Sequence, residues 1–368
     1  MQTSKGKLTR LVIACVAITA LGLGLFWGGC AKDSQDIVSP QSAVSPSVSD
    51  LSKASQIQAV MAIQNKHTDR LLAIDGVVGT ATTLTNDGRP AVKIFTKFEG
   101  AKGTLPTDLE GVPVVVEATG EFRALQEVID IQTKGKVNSS SATAKFPRPV
   151  PIGVSTGNEG ECSAGTISAR VKAGSTYYAL SNNHVYALEN AASVGSRVLQ
   201  PGLYDTRCVF DASNVIGTLA DFEPITFSRS ANNVIDAAIA LSSTADLGNS
   251  TPSNGYGTPK SATVAASVGQ KVQKYGRTTS LTKGTVSAIN ATILVGYDAG
   301  TARFVNQIVV SGSKGAFIKA GDSGSLLVTD PNANPVGLLF AGDASGKTAI
   351  ANPIGPVLTR FSVTIDGN

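Results

Sequence analysis

Short β-prone runs alternate with turn residues from residue 151 onward, and this pattern restricts the fold more than any other feature of the chain. Residues 166–171, 285–289 and 335–340 are rich in Val, Ile, Leu and Thr, and Gly, Asn, Asp or Ser residues separate such runs at close intervals. Many short strands with frequent turns are typical of a β-barrel or a β-sandwich. Residues 151–368 therefore predict an all-β domain that is long enough for two small barrels side by side.

The amino-terminal 29 residues predict an export signal. Lys5, Lys7 and Arg10 precede an uncharged run that extends to Gly29. The pair Gly28-Gly29 before Cys30 resembles the lipobox of bacterial lipoproteins, in which the cysteine is acylated and becomes the first residue of the mature chain. An ordinary cleaved signal and an uncleaved membrane anchor are the alternatives, because an uncharged run of this length can span a bilayer. All three predict an exported protein, either attached to the bacterial cell envelope or secreted.

Most of the net positive charge of the chain lies in this predicted signal. The chain has 31 basic and 27 acidic residues, and three of the basic residues but no acidic ones lie in the first 29 positions. The mature chain is therefore almost neutral and has no overall field that would concentrate a phosphate polymer. We therefore expect no nucleic-acid partner.

Composition and periodicity divide the rest of the chain into four regions. Residues 30–51 are rich in Ser, Asp, Gln and Pro and predict a flexible tether. Residues 52–135 contain a helical pattern, a hairpin around Asp87-Gly88 and a further strand, which together predict a small α+β domain. Residues 136–150 are a second linker, and residues 151–368 form the β-rich domain.

Only two histidines, His67 and His184, are present, and this limits the chemistry that is possible. A site built on several histidines, as for zinc or haem, is excluded, and a base that works at neutral pH must be one of these two. The chain also has no EF-hand calcium loop, so we expect no metal and no organic cofactor. His67 has charged and polar neighbours in the predicted helix, so we expect it to be a surface residue. His184 follows an apolar strand.

The sharpest motif is Gly-Asp-Ser-Gly-Ser at 321–325. Glycines on both sides give Ser323 backbone room for a strained turn, and the N–H groups of Gly321 and Ser323 can converge as an oxyanion hole. A serine hydroxyl needs an imidazole to take its proton, and His184 is available in the same domain. The imidazole needs a carboxylate, and Asp236 lies in an otherwise apolar strand where an unpaired acid would be costly.

These motifs resemble those of the chymotrypsin-like serine proteases. The three residues follow the family order His, Asp, Ser, whereas subtilisins and α/β-hydrolases have other orders. The string 181–185 resembles the histidine motif of envelope proteases of the high-temperature-requirement type. The string 276–286 is similar to the Gly-x-Thr-Thr-x-x-x-x-Gly-x-Val stretch of the alpha-lytic type.

The resemblance implies an all-β double six-stranded barrel with the site in the cleft between the lobes. It implies Ser323 as nucleophile, His184 as general base and then acid, Asp236 as the orienting carboxylate, and Gly321 with Ser323 as oxyanion donors. The expected function is that of an exported serine endopeptidase that hydrolyses peptides or proteins through an acyl-enzyme. The animal-type Ile-Val-Gly-Gly start is absent near residue 150, so we expect no activation by burial of a new amino terminus.

The resemblance also places a substrate pocket at Phe317, Phe340, Ala341 and Gly342. Phe317 stands where trypsin has an acidic residue at the pocket floor. This difference disfavours lysine or arginine at the cleaved position and favours small or apolar side chains.

Cys162 and Cys208 are the cysteines left after the signal and the lipobox, and in an oxidising envelope we predict that they pair. Two free thiols are the alternative.

Two further alternatives concern the role of the regions. The domain at 52–135 resembles the removable pro-regions of secreted bacterial proteases, which assist folding and block the cleft; a permanent accessory domain is the other interpretation. The rival function is a catalytically silent trypsin-fold protein that binds peptides in the envelope. A purely structural surface lipoprotein would leave Asp236 and the glycine turn unexplained.

Overall fold

The structure is a computed structural model, and it describes residues 52–125, 127–128 and 141–368. The predicted export signal, Cys30 and the tether lie outside the described residues, as does the first part of the predicted linker. Within the described ranges, no helix combines the length and the hydropathy that crossing a membrane would require.

The amino-terminal part consists of one long helix followed by short strands. Their bounds are α1 Lys53–Leu72, β1 Val77–Leu84, β2 Pro90–Thr96, β3 Asp108–Leu109, β4 Val112–Ala118, β5 Phe122–Ala124 and β6 Glu127–Val128. The predicted helix and the predicted hairpin are both present. Gly88 has a φ of +84° in the hairpin turn, and its N–H donates to Thr85 O at 2.9 Å.

Helix α1 packs on the strands through a stripe that mixes apolar and polar side chains. Val60, Gln64, Thr68 and Leu71 are buried, at the three- and four-residue spacing of one helix face. Gln64 satisfies its amide with hydrogen bonds to strand residues and to Asn290. The buried polar group is thus fully partnered, as a packed interior requires.

The first lobe is a nine-stranded sheet of the order β21-β9-β10-β14-β12-β11-β7-β8-β6. Its other elements are β7 Ser155–Asn158, β8 Ser163–Thr166, β9 Ala169–Ala173, β10 Thr176–Ser181, α2 Asn183–Tyr186, β11 Arg197–Leu199, β12 Val215–Phe222, β14 Ala238–Ser242 and β21 Thr364–Ile365. The disulfide prediction is confirmed here, because Cys162 and Cys208 are bonded with their Cα atoms 5.2 Å apart.

The second lobe is a twelve-stranded sheet whose main path is β13-β17-β20-β19-β18-β15-β16-β1-β2-β4-β3. Its elements beyond the amino-terminal part are β13 Asn232–Asn233, β15 Lys271–Gly276, β16 Ser280–Gly296, β17 Thr301–Gly312, β18 Leu326–Thr329, β19 Pro335–Gly342, β20 Thr348–Pro353 and α3 Ile354–Phe361. The all-β prediction for residues 151–368 is confirmed, since α2 and α3 are the only α-helices there. The two sheets correspond to the two predicted lobes.

The amino-terminal strands are part of the second sheet. Strand β1 pairs antiparallel with β16, so that Gly79 lies opposite Ile293 and Thr80 opposite Thr292. Strand β5 lies between β16 and β19 and pairs with both. Strand β6 pairs with β8 of the first lobe. Strands β5 and β6 therefore pair with different lobes.

Candidate active site

His184 and Asp236 form a buried hydrogen-bonded pair. His184 lies in α2, directly after β10, and Asp236 precedes β14, the neighbour of β10 in the sheet. The imidazole Nδ1 is 2.5 Å from Asp236 Oδ2, and the backbone N–H of His184 donates to Asp236 Oδ1 at 3.2 Å. Both side chains have no exposed surface. Among the described residues, His184 Nε2 has no hydrogen-bond partner.

The Asp236 carboxylate has a second donor, the phenol of Tyr297. Tyr297 follows β16 at the tip of the β16–β17 hairpin, and its hydroxyl donates to Asp236 Oδ2 at 2.9 Å. Burial, together with the charge of Asp236, raises the pKa of Tyr297 well above its ordinary value. The phenol therefore keeps its proton and acts as a donor. Asn352 completes the support, because its Oδ1 accepts from the Asp236 N–H at 3.2 Å.

Ser323 lies between the two lobes. Its backbone oxygen accepts from Thr166 N–H of the first lobe at 2.7 Å. Gly165, the neighbour of Thr166, is also adjacent to Val185, because a Cβ at position 165 would be 2.6 Å from Val185 Cγ2 and 3.0 Å from Ser323 O. The serine turn and the helix that carries His184 thus meet at one strand. The Ser323 hydroxyl itself donates to Phe340 O at 3.1 Å.

The backbone at Gly321 is held in a conformation that requires glycine. Its φ is +88°, and a Cβ there would be 2.4 Å from Arg277 Nη1 and 2.6 Å from Thr278 Oγ1. Its carbonyl oxygen accepts from Thr166 Oγ1 at 2.8 Å. Its N–H donates to the carbonyl oxygen of Leu125 at 2.8 Å. One of the two predicted oxyanion donors therefore already holds a peptide carbonyl.

Asp322 turns away from this point and is fixed by the β15–β16 hairpin. Its Oδ1 accepts from Thr278 N–H at 2.8 Å, and its Oδ2 accepts from Thr279 Oγ1 at 2.6 Å. The buried ammonium of Lys274 lies 3.6 Å from Asp322 Oδ2. Burial lowers the pKa of Lys274, and the charge of Asp322 opposes this shift. Asp322 is thus held by donors of the β15–β16 hairpin and lies beside a buried lysine of the same lobe.

The residues of the predicted substrate pocket lie close to Ala124 and Leu125. Phe317 belongs to a buried apolar cluster against which Leu125 packs. A Cβ at Gly342 would be 3.0 Å from Leu125 Cδ1. Phe340 contributes its backbone oxygen, which accepts from Leu125 N–H at 3.4 Å, and Ala341 lies opposite Ala124 in the paired strands.

Sequence reasoning missed Tyr297, Lys274 and Leu125. A tyrosine at a hairpin tip has no motif that reveals a partner about 60 residues away in the chain. Lys274 in a strand resembles any edge or surface lysine until the burial of its side chain is known. The second histidine, His67, pairs with Glu110 through Nε2 and Oε1 at 2.7 Å and lies apart from the groups described above.

The described residues contain no group of three or more His, Cys, Asp or Glu side chains that could hold a metal ion.

Comparisons with known proteins identify one family match and several similar structures. The family model of the Nal1 C-terminal domain matches residues 220–357, which is less than half of the chain. No curated protein matches the sequence significantly.

The similar solved structures are bacterial serine proteases. A glutamic-acid-specific serine protease is 22% identical, with 59% of this chain and 100% of that chain covered and a TM-score of 0.42. Thermobifida fusca protease A is 21% identical, with 60% and 100% covered and a TM-score of 0.43. Cellulomonas bogoriensis chymotrypsin is 20% identical, with 60% and 99% covered and a TM-score of 0.41.

Proposed function

We propose that the protein is a serine endopeptidase in which Ser323 is the nucleophile, His184 the general base and Asp236 its orienting carboxylate. The observation that carries the proposal is the buried His184–Asp236 pair, whose Nε2 has no hydrogen-bond partner among the described residues. The Ser323 turn supports it, because this turn and the helix of His184 are both adjacent to Gly165. An unpartnered buried ring nitrogen is costly unless a group that gives or takes a proton uses it. The serine hydroxyl of an acyl-transfer site is such a group.

The proposed reaction begins with rotation of the Ser323 hydroxyl from Phe340 O toward His184 Nε2. The Ser323 oxygen attacks the substrate carbonyl carbon while His184 takes the hydroxyl proton. Asp236 stabilises the imidazolium that forms, and Tyr297 keeps the carboxylate in place. The N–H groups of Gly321 and Ser323 stabilise the oxyanion. His184 then gives its proton to the leaving amine, and a water molecule hydrolyses the acyl-enzyme.

A second candidate function is a catalytically silent protein that binds peptides. It is favoured by one observation, the hydrogen bond from Ser323 Oγ to Phe340 O in place of one to the imidazole. A silent fold would use the same cleft to hold an extended chain without cleaving it.

Labelling with a fluorophosphonate distinguishes these two functions. The full-length chain is incubated, treated with the probe and compared with Ser323→Ala and His184→Ala, and casein hydrolysis is followed in parallel. The endopeptidase proposal expects labelling and hydrolysis in the wild type and loss of both in each variant. If the folded wild type neither reacts with the fluorophosphonate nor hydrolyses casein at any time of incubation, the endopeptidase proposal is wrong. The peptide-binding function is then the remaining proposal.

Export to an oxidising compartment is part of the proposal. The disulfide between Cys162 and Cys208 supports it, because such bonds persist outside the reducing cytosol. Attachment through an acylated Cys30 is proposed from the lipobox sequence. Mass spectrometry of the membrane fraction tests it, since Cys30→Ser should release the protein into the soluble fraction.

A further inference from the structure

Two side chains from the turn between β15 and β16 lie against the serine turn. They belong to Arg277 and Thr278, in the string 276–286 that has no role in the proposed reaction so far. A Cβ at position 321 would clash with Arg277 Nη1 and with Thr278 Oγ1. A buried guanidinium and a hydroxyl are therefore immediate neighbours of Gly321, whose N–H is a proposed oxyanion donor.

The hydroxyl of Thr278 fixes the peptide unit that contains the Gly321 N–H. Thr278 Oγ1 donates to Ala320 O at 2.6 Å. The carbonyl of Ala320 and the N–H of Gly321 belong to one planar trans peptide unit, in which the two groups point in opposite directions. A hydrogen bond that holds this carbonyl therefore also sets the direction of the N–H. Rotation of the peptide would turn the proposed donor away and would break the bond to Thr278 at the same time.

Arg277 determines which way this hydroxyl points. Its Nη1 donates to Thr278 Oγ1 at 3.0 Å. A guanidinium has donors and no acceptor, so the threonine oxygen accepts in this contact. The proton of the hydroxyl is therefore left for the carbonyl of Ala320.

The guanidinium of Arg277 is in turn held by Asp205. Nε donates to Asp205 Oδ2 at 2.8 Å, and Nη2 donates to Oδ1 at 2.6 Å. Only 4% of the arginine side chain and 2% of the aspartate side chain are exposed. Two parallel hydrogen bonds of this kind fix the orientation of a guanidinium as well as its position.

Asp205 belongs to the first lobe. It lies in the short 3₁₀-helix Leu203–Thr206, between β11 and β12. Ser155 of β7 supports it, because its Oγ donates to Asp205 Oδ2 at 2.5 Å. The guanidinium beside the serine turn of the second lobe is therefore fixed from the lobe that carries the imidazole.

We propose that Asp205, Arg277 and Thr278 are positioning residues that hold the Gly321 N–H in the direction that an oxyanion requires. The proposal rests on the proposed function, and the three residues act through the 320–321 peptide without touching the substrate. An oxyanion donor accelerates acyl transfer when it points at the oxyanion before the reaction starts. Through these residues, the lobe of the general base also sets the oxyanion donor of the other lobe.

The test compares Thr278→Val with Thr278→Ser and with Ser242→Ala. Valine keeps the shape of threonine without its hydroxyl, and serine keeps the hydroxyl. Ser242→Ala is the control, because it removes a hydroxyl that also donates to a backbone carbonyl, Ile216 O at 2.7 Å, in the first lobe.

The full-length proteins are given a fluorogenic peptide with alanine or leucine at the cleaved position that the wild type hydrolyses. Rates are divided by the amount of protein that a fluorophosphonate labels at completion. We expect Thr278→Val to lower the turnover number by about 10- to 100-fold at similar KM, and Thr278→Ser and Ser242→Ala to stay within about threefold of wild type.

A peptide aldehyde of the same sequence separates positioning from a general loss of stability. Its adduct with the serine carries an oxyanion, as the transition state does, whereas the bound substrate does not. In Thr278→Val, the inhibition constant of the aldehyde should therefore rise by the same factor by which kcat/KM falls. A merely structural role of the hydroxyl would lower the melting temperature and leave both values unchanged.

Asp205→Asn tests the contribution of the first lobe. The amide keeps the shape of the carboxylate, but only one of its two polar atoms can accept from the guanidinium. If Asp205 acts through Thr278, the turnover number of the double variant should be close to that of Thr278→Val alone. If the two losses multiply instead, the residues act independently and the link between the lobes is wrong.

The remaining outcomes separate this proposal from the proposed function. Equal turnover of Thr278→Val and Ser242→Ala, with a labelled and active wild type, would overturn the positioning role while the protease function stands. If Thr278→Val does not fold, Asp205→Asn decides: lower turnover with weaker aldehyde binding supports the proposal, and unchanged values overturn it. A wild type that is neither labelled nor active would overturn the protease function, and this proposal with it.

Discussion

The backbone N–H of Gly321 donates a 2.8 Å hydrogen bond to the carbonyl oxygen of Leu125. This contact joins the amino-terminal segment to the serine turn, and it shows that the turn already has the conformation in which the N–H points at a peptide carbonyl. Asp322 holds the same turn from its other side, through Thr278, Thr279 and Lys274. The serine turn is therefore held in this conformation by contacts on both of its sides.

Replacement of Gly321 should separate catalysis from stability. Gly321→Ala puts a side chain at a φ of +88° and against Arg277, so the N–H must move from its position. We expect the rate of peptide hydrolysis to fall by about 100-fold, as on loss of an oxyanion donor. Gly88→Ala is the matched control, because Gly88 also has a positive φ but no atom near the missing Cβ. Equal activity of the two variants would refute the role of Gly321.

Tyr297→Phe should lower the turnover number with little change in KM. The hydroxyl donates to Asp236 Oδ2, which orients the base and does not bind the substrate in the proposed reaction. Loss of a hydrogen bond to a charged group corresponds to roughly 1.5–3 kcal/mol, or about 10- to 100-fold in rate. Because burial raises the pKa of Tyr297, the native phenol stays protonated, and the ratio of wild-type to variant rates should be constant from neutral pH to pH 10.

The control for this prediction is Tyr275→Phe. Tyr275 is also buried in the second lobe, and its hydroxyl donates to Asn254 Oδ1 at 2.9 Å. Tyr275→Phe should lower the free energy of unfolding by an amount similar to that of Tyr297→Phe, and it should leave the turnover number unchanged. If both variants reduced turnover equally, Tyr297 would have a structural role only.

Local motifs state local physical requirements, and two of these requirements can be compared with the structure. The glycines around Ser323 indicate strained backbone, and Gly321 and Gly324 do have positive φ. The acid in an apolar run indicates a buried partner, and Asp236 has His184. The predicted run 166–171 was less successful, because β8 ends at Thr166 and β9 begins at Ala169. Boundaries of this kind depend on which strand is the neighbour and not on the composition of the run.

The position of the amino-terminal strands could not be predicted in this way. The pairing of β1 with β16 joins residues that are about 200 positions apart, and the register has no local signal. The same holds for Leu125, which is one of many leucines until its carbonyl is seen beside Gly321. The sequence does not show which distant residues pair with each other. These long-range pairings place the amino-terminal strands on the second sheet and Leu125 beside Gly321.

Loss of the disulfide should destabilise the first lobe. The bond between Cys162 and Cys208 closes a loop with a sequence separation of 46 residues and fixes the chain just before β8. Replacement of both cysteines by serine should lower the free energy of unfolding by up to about 4 kcal/mol, as measured by urea unfolding. Adding a reductant to the wild type should give a similar loss, and the double variant should not respond to it. An unchanged unfolding midpoint in the variant would contradict the prediction.

The amino-terminal part should remain bound to the second sheet when the chain is cut in the predicted linker 136–150. Strand β1 pairs with β16, and α1 adds the buried amide of Gln64, which exchanges hydrogen bonds with Asn290 of the β16 strand. These contacts do not involve the linker. We therefore expect the two fragments to elute together in size-exclusion chromatography and to separate only in denaturant, so that an anchor at Cys30 would still hold the protease.

Gln64→Ala tests this association directly. The variant removes the buried side chain that Asn290 and Thr82 hydrogen-bond. We expect the free energy of association to become less favourable by roughly 2 kcal/mol or more, which corresponds to about 30-fold weaker binding of the cut fragment. Gln58→Ala, at an exposed position of the same helix, is the control and should not change the association. Dissociation of the wild-type fragment immediately after the cut would contradict the prediction, because it would mean that the intact peptide bond is what holds α1 and β1 on the second sheet.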